Sequence, residues 1–380
     1  MSVDIRGYVA PGFGGVADTF AGLFQTHGET GAAVAAYVDG KPAISIAAGE
    51  MAPGVPWETN TMATVFSVTK GLTATCVHHF VEQSGFDLDA PIAAVWPEFA
   101  NNGKENISLR SVMSHRAGLP IVEGDFTLDE ALSWWPVVNQ LATQAPIWEP
   151  GTAHGYHLRS YGWLIGETLR RASGLTVSQY FSEHISGPLG LDWYLGLPES
   201  LDHQAATLVT DNAAMRKMLM SLPEDMVTRR AMLGPSDLFH YDDMWNTRQL
   251  RAAELPSSSS IGSAESIARM YAGTIGEVDG IRLLSDSTVA NACVEQSNGP
   301  DRTLMIDTSF GTGYMIGASA PAACGPRAFG HGGAGGSTAL ADPDIGLGVA
   351  YVPGRLRFDP DGNERAELLV ASIMRAATNA

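Results

Sequence analysis

Residues 31–38 (Gly-Ala-Ala-Val-Ala-Ala-Tyr-Val) and 43–48 (Ala-Ile-Ser-Ile-Ala-Ala) are two β-compatible runs flanking Asp39-Gly40-Lys41-Pro42. An Asp-Gly turn between such runs reads as a hairpin. Near the other end, Ser337–Ala341 and Gly346–Val352 form a second strand-like pair, separated by Asp342-Pro343-Asp344-Ile345. Residues 364–378 then read as a closing helix, with Leu368, Leu369, Ile373 and Met374 on its apolar side. Strands at both ends of the chain, followed by a helix, call for one antiparallel sheet assembled from distant segments. The expected class is α+β (an α/β sandwich), with residues 1–70 and 276–380 forming a helix-flanked sheet lobe. Residues 71–275 form a mainly helical lobe in this reading, with helices at 69–84, 108–115, 160–173, 176–184 and 263–274. Residues 200–256 lack strong periodicity, and read either as an insertion covering a pocket or as irregular surface.

Composition narrows the partners. The chain has 380 residues and a formal net charge of −18. With no basic run to neutralise phosphates, nucleic acid and anionic membrane surfaces are excluded as expected partners. No apolar run approaches the roughly 18 residues of a membrane span. The start of the chain shows no charged segment followed by an apolar one, and Cys76, Cys293 and Cys324 are widely spaced. Both features fit a cytoplasmic protein without a disulfide framework.

The chemistry is concentrated at Ser67-Val68-Thr69-Lys70, where an alcohol and an amine stand three residues apart. On a helix those positions share a face, so Oγ and Nζ can meet at the first turn. A helix N-terminus is electropositive, and its field lowers an amine's pKa, as a proton-accepting lysine requires. The alternative is an N-capping serine with a lysine bent out to solvent. The chain has only Lys41, Lys70, Lys104 and Lys217, and Lys70 alone has a serine three residues before it.

Two further segments could complete a site. Trp148-Glu149-Pro150-Gly151 leads to Tyr156, whose phenolate a neighbouring ammonium would stabilise, so that it could shuttle a proton. A structural tyrosine fits the same pattern. Phe329-Gly330-His331-Gly332-Gly333-Ala334 lets a strand approach a substrate with bare N–H groups, or serves as a glycine-rich turn. His78 and His79 are adjacent on a helix and point apart, which disfavours a metal pair.

Together these segments resemble the serine β-lactamase and penicillin-binding-protein superfamily, most nearly its esterase branch, the family VIII carboxylesterases. The likeness extends to Ser114-His115-Arg116-Ala117-Gly118-Leu119-Pro120, similar to the family's "SHxSGLP" segment, and to Pro188-Leu189-Gly190-Leu191. It implies Ser67 as acylated nucleophile, Lys70 as proton acceptor and Tyr156 as the tyrosine working with that lysine. It also implies the N–H groups of Ser67 and Ala334 as oxyanion donors. His331-Gly332-Gly333 falls where β-lactamases carry Lys-Thr-Gly, and Leu158 stands where the tyrosine motif has asparagine or serine. Losing those groups argues for neutral esters over β-lactams. His331 would polarise Tyr156, bind a substrate oxygen, or be a satisfied turn histidine.

The expectation is a serine hydrolase acting on small or short-chain carboxylic esters, without cofactor or metal. A β-lactamase, a D-aminopeptidase or carboxypeptidase, an acyltransferase and an acylated sensor are the alternatives. Phe126, Trp134, Trp135, Phe239, Tyr241 and Trp245 either wall the substrate pocket or belong to the ordinary core.

Overall fold

The computed structural model describes residues 3–210, 213–358 and 360–379. Its main element is a ten-stranded antiparallel sheet. Along one path the strands run Arg6–Val9, Lys41–Ala52, Gly31–Val38, Leu347–Pro353, Thr338–Asp342, Phe329–Gly332, Met315–Ile316, Asp307–Phe310 and Ser297–Pro300. Val55–Pro56 pairs with Lys41–Ala52 to one side. The sheet therefore joins both chain ends, Gly31–Val38 pairing directly with Leu347–Pro353.

The uniform apolarity of Gly31–Val38 has a physical cause. Ala33, Ala35 and Tyr37 face the larger core, while Ala32, Val34 and Ala36 face a second core behind the sheet. A strand covered on both faces loses the polar alternation of a half-exposed one. The hairpin forms at Asp39 (φ 49°) and Gly40 (φ 73°), a pair of left-handed residues suited to a two-residue connection. Pairing starts at Lys41, earlier than the pattern suggested, and a register shift at Ala36/Tyr37 accompanies Pro42.

Behind the sheet lie the helices Gly14–Thr26 and Pro360–Thr378. Gly14–Thr26 is absent from the expected helices. Its glycine pair resembles a turn, yet Val16, Phe20 and Leu23 recur at helical spacing and are buried. In front, Ala264–Ile275 packs on the strands Gly31–Val38, Thr338–Asp342 and Leu347–Pro353. This helix lies within the segment read as the helical lobe, and small residues on the strands let it settle close to the sheet. The helix Val68–Ser84 contacts both Phe329–Gly332 and the helices Ser160–Ser173 and Val177–Phe181. It thus stands at the seam between sheet and helices.

A second sheet of three short strands, Ala63–Thr64, Ser260–Gly262 and Trp193–Leu195, delivers the chain into Val68–Ser84. Residues 200–256 contribute packed helices, including Val227–Leu233 and Arg248–Ala252, rather than irregular surface. No helix among the described residues is long and apolar enough to cross a membrane.

Gly348 shows how close the front layer sits. A Cβ there would lie 2.5 Å from Ala272 N and 2.7 Å from Ala268 O, both backbone atoms. Gly348→Ala should therefore destabilise the protein by about 1–3 kcal/mol, the usual range for overpacking. Denaturant unfolding checks this; an unchanged midpoint would mean the helix is free to move away.

Candidate active site

Phe66 carries the chain into the site in a left-handed conformation (φ 46°), rare for a large side chain. Its ring is held against Trp245 and Tyr241 at 4.9 and 6.0 Å between centroids. The backbone then turns sharply into the helix, with Ser67 immediately before its first residue, Val68. Ser67 does not cap the helix through its side chain, and Lys70 is fully buried. The capping-serine, solvent-lysine alternative is therefore not the arrangement found.

Lys70 Nζ lies 3.3 Å from Ser67 Oγ and donates to Leu158 O at 2.7 Å and Ser257 O at 3.0 Å. It sits over the rings of Tyr156 and Tyr161. Burial lowers its pKa well below the ordinary lysine range, and the charge of Arg159 lowers it further. The direction is the one a helix N-terminus would impose, but desolvation is the main cause. A neutral amine has two hydrogens, and two carbonyls take them. Its lone pair is then left for Ser67 Oγ.

Tyr156 is fixed from several directions. Its N–H donates to both oxygens of the Asp301 carboxylate at 3.0 Å, and its ring stacks on Phe310. Burial pushes the phenol above its ordinary range, while a hydrogen bond with Ser67 pulls it back in part. Burial thus favours the neutral phenol on Tyr156 just as it favours the neutral amine on Lys70.

His331 lies on the strand Phe329–Gly332, its Nε2 3.3 Å from Tyr156 OH and its Nδ1 2.6 Å from Gly332 O. Donation from Nδ1 to the carbonyl leaves Nε2 as the acceptor for the phenol. Burial lowers this imidazole's pKa to about 3 against the opposing effect of the Gly332 carbonyl, so it stays neutral.

The glycine-rich segment places Gly333 where a Cβ would meet Ser337 Oγ at 2.1 Å and Val65 O at 2.3 Å. Its N–H donates to Ser337 O, and Ser337 Oγ donates to Val65 O. Gly332, by contrast, has open space at its Cβ position. Among the described residues, no backbone carbonyl takes the N–H of Ser67 or of Ala334. Ser67, Tyr156, His331 and the segment Gly332–Ala334 line one cavity of about 500 Å³.

Several contributors were not foreseen. His115 has a left-handed backbone (φ 62°) and lies edge-on to Tyr156, and its Nδ1 accepts the His157 N–H. His157 in turn accepts from Leu119 N, binding the Ser114–Pro120 segment to the tyrosine segment. Asp301 belongs to a distant turn that no local pattern links to Tyr156. Ser257–Ser260, a low-complexity stretch by sequence, is buried and bonded to Lys70, Arg159 and Thr69. Arg159 is only 3% exposed and donates to Met232 O. It packs over Phe239, Tyr241 and Trp245 at 5.0–5.5 Å. Among the described residues it forms no ion pair. Of the six candidate pocket aromatics, Tyr241 alone lines the cavity. Phe239 and Trp245 are core, Trp135 is exposed, and Trp134 donates to Glu167.

A serine backed by a buried amine, with a tyrosine and a strand edge lining the same cavity, defines a serine β-lactamase-like hydrolase. The β-lactamase family model matches residues 16–372, and the chain belongs to that family. It is 32% identical over 368 residues to "Esterase/beta-lactamase LipL" of Mycobacterium tuberculosis (strain ATCC 25618 / H37Rv), covering 93% of this chain and 83% of that one. The crystal structure of a family VIII carboxylesterase matches with TM-score 0.88 and 30% identity, covering 98% of this chain and 100% of the other. EstA from Arthrobacter nitroguajacolicus Rue61a matches with TM-score 0.88 and 31% identity, covering 100% and 99%.

The charge around Lys70 sets a pH dependence. A base with lowered pKa is available above that pKa, and activity falls as pH drops through it. Arg159→Met removes a buried positive charge, so it should move the acid limb of kcat/KM to higher pH, while Arg159→Lys should leave it near its original position. A limb that does not move in Arg159→Met would remove Arg159 from the account.

Proposed function

We propose that the protein is a serine esterase hydrolysing small, uncharged carboxylic esters through an acyl-enzyme on Ser67. The reading is carried by Lys70, whose amine hydrogens are taken by Leu158 O and Ser257 O while Ser67 Oγ lies at 3.3 Å. That geometry suits removal of the Ser67 proton as Oγ attacks an ester carbonyl. The Ser67 and Ala334 N–H groups receive the developing oxyanion, each lowering the barrier by about 3 kcal/mol in comparable sites. Tyr156, its phenol favoured by burial, passes a proton to the departing alkoxide, and His331 Nε2 holds its hydroxyl in place. Water then attacks the acyl-enzyme through the same groups in reverse.

Substrate charge follows from the walls. Leu158, Met232, Leu304 and Met315 make them largely apolar, and among the described residues the lining contains Asp307 and Glu367 but no lysine or arginine. A carboxylate such as that of a β-lactam or a peptide C-terminus finds no cationic partner there. The family VIII carboxylesterase of similar structure supports an ester as substrate, while the LipL description names both an esterase and a β-lactamase.

Ser67→Ala should lower p-nitrophenyl ester hydrolysis by more than about 10³-fold with the fold intact. Lys70→Ala should cost nearly as much, and Tyr156→Phe about 10²-fold or more. Stopped-flow and steady-state assays check all three. A near-native rate in Lys70→Ala would remove the proposed base. On the wild-type enzyme, a chromogenic cephalosporin should survive conditions that consume the ester. Faster cleavage of the cephalosporin would instead favour a β-lactamase.

A further inference from the structure

The segment Gly332-Gly333-Ala334-Gly335-Gly336 creates a physical problem for any oxyanion site built on it. Glycines allow close backbone approach, but they leave the chain free to swing, and a donor must be fixed before charge develops. Gly335 adopts φ 82°, and its carbonyl points away from the cavity into the layer behind the sheet. There it accepts from Arg365 Nη2 at 2.7 Å and from Arg357 N at 3.1 Å.

Arg365 comes from the C-terminal helix and is completely buried, as is its partner Glu29 from the loop after Gly14–Thr26. Glu29 Oε2 receives Arg365 Nη1 and the Tyr351 hydroxyl (2.6 Å), and Oε1 receives the Thr30 N–H at 3.0 Å. Arg365 Nη2 also reaches Arg355 O at 3.1 Å. Stability is a weak explanation for such a pair. Desolvation of two buried charges offsets much of their attraction, and an apolar pair of equal volume is often as stable. Arg365 Nε has no hydrogen-bond partner among the described residues, so even the pair's own polar groups are not all satisfied. What the charges provide, and an apolar pair would not, is a rigid donor aimed at one backbone carbonyl beside Ala334.

We propose that the Glu29–Arg365 pair is a positioning clamp that holds the Ala334 N–H in register with Ser67 from the opposite side of the sheet. The proposal rests on the reading of Ala334 N–H as an oxyanion donor. Neither charged residue touches substrate. Both act through Gly335, with Tyr351 orienting the carboxylate.

The test uses the full-length enzyme, with rates expressed per active site after fluorophosphonate titration. Misplacement of a donor by about an ångström costs up to roughly 10²-fold. Arg365→Met should therefore lower kcat by about 10- to 100-fold with KM within about threefold. The inhibition constant of phenylboronic acid, whose tetrahedral serine adduct needs the same donor, should weaken in parallel. Arg365→Lys should recover part of both. Should Arg365→Met fail to fold, Glu29→Gln, which keeps the shape and an acceptor oxygen, should show a smaller loss in the same direction. A merely structural pair would lower thermal stability and the fraction of active enzyme, leaving kcat per site and boronate affinity at wild-type values in every variant. That result would overturn the clamp. Ala334→Pro, which deletes the donor, separates the two ideas. If it loses activity while Arg365→Met and Glu29→Gln do not, the clamp alone fails. If Ala334→Pro is itself unimpaired, the oxyanion reading fails and takes the clamp with it.

Discussion

An amine buried with no counter-charge among the described residues is the constraint on which the site depends. Lys70 is completely covered, and the charge acting on it is the like charge of Arg159. A protonated lysine in that position would be costly, so the fold favours the neutral form and satisfies its hydrogens with two main-chain carbonyls. Those carbonyls come from opposite directions, one following the tyrosine segment and the other opening the buried serine run. Each therefore has to be placed by tertiary structure. The left-handed turn at Phe66, the three short strands around Ser260–Gly262 and the histidine-linked Ser114–Pro120 segment all converge on this placement.

The same logic explains why the chain returns to its beginning. The cavity has one wall from the helical region and another from the strand Phe329–Gly332, so it exists only when the sheet is complete. That sheet requires Gly31–Val38 beside Leu347–Pro353, sealed behind by Gly14–Thr26 and Pro360–Thr378. Glu29 and Arg365 meet in this rear layer, one from each end of the chain. Assembly of the sheet and organisation of the strand edge at Ala334 are thereby coupled through a single buried pair.

Local pattern was sufficient where a segment's own residues determine its state. The run at Gly31–Val38 and the helix over 160–173 could be read directly, because burial and periodicity are written into consecutive residues. The spacing of Ser67 and Lys70 likewise revealed a potential alcohol–amine pair. What escaped depends on contacts across the chain. Gly14–Thr26 was hidden by its glycine start. Ser297–Pro300 and Asp307–Phe310 are too short and polar to stand out. Asp301 reaches Tyr156 across 145 residues of sequence, and Arg159 is recognisable as a buried cation only once the aromatic rings around it are in place. The lowered amine pKa was anticipated for a local reason, the helix field, whereas burial by the whole fold is the main cause.

The account's central claim is directly measurable, because the protein has just four lysines. Selective ¹³Cε-lysine labelling, with Lys70→Arg to assign the resonance, would follow the charge state of each amine by NMR as pH is changed. Lys104, also buried, should titrate at about 8. Lys70 should gain its proton well below the ordinary lysine range, because burial and the charge of Arg159 both disfavour the ammonium. A Lys70 signal that titrates in the ordinary lysine range would contradict the account at its root.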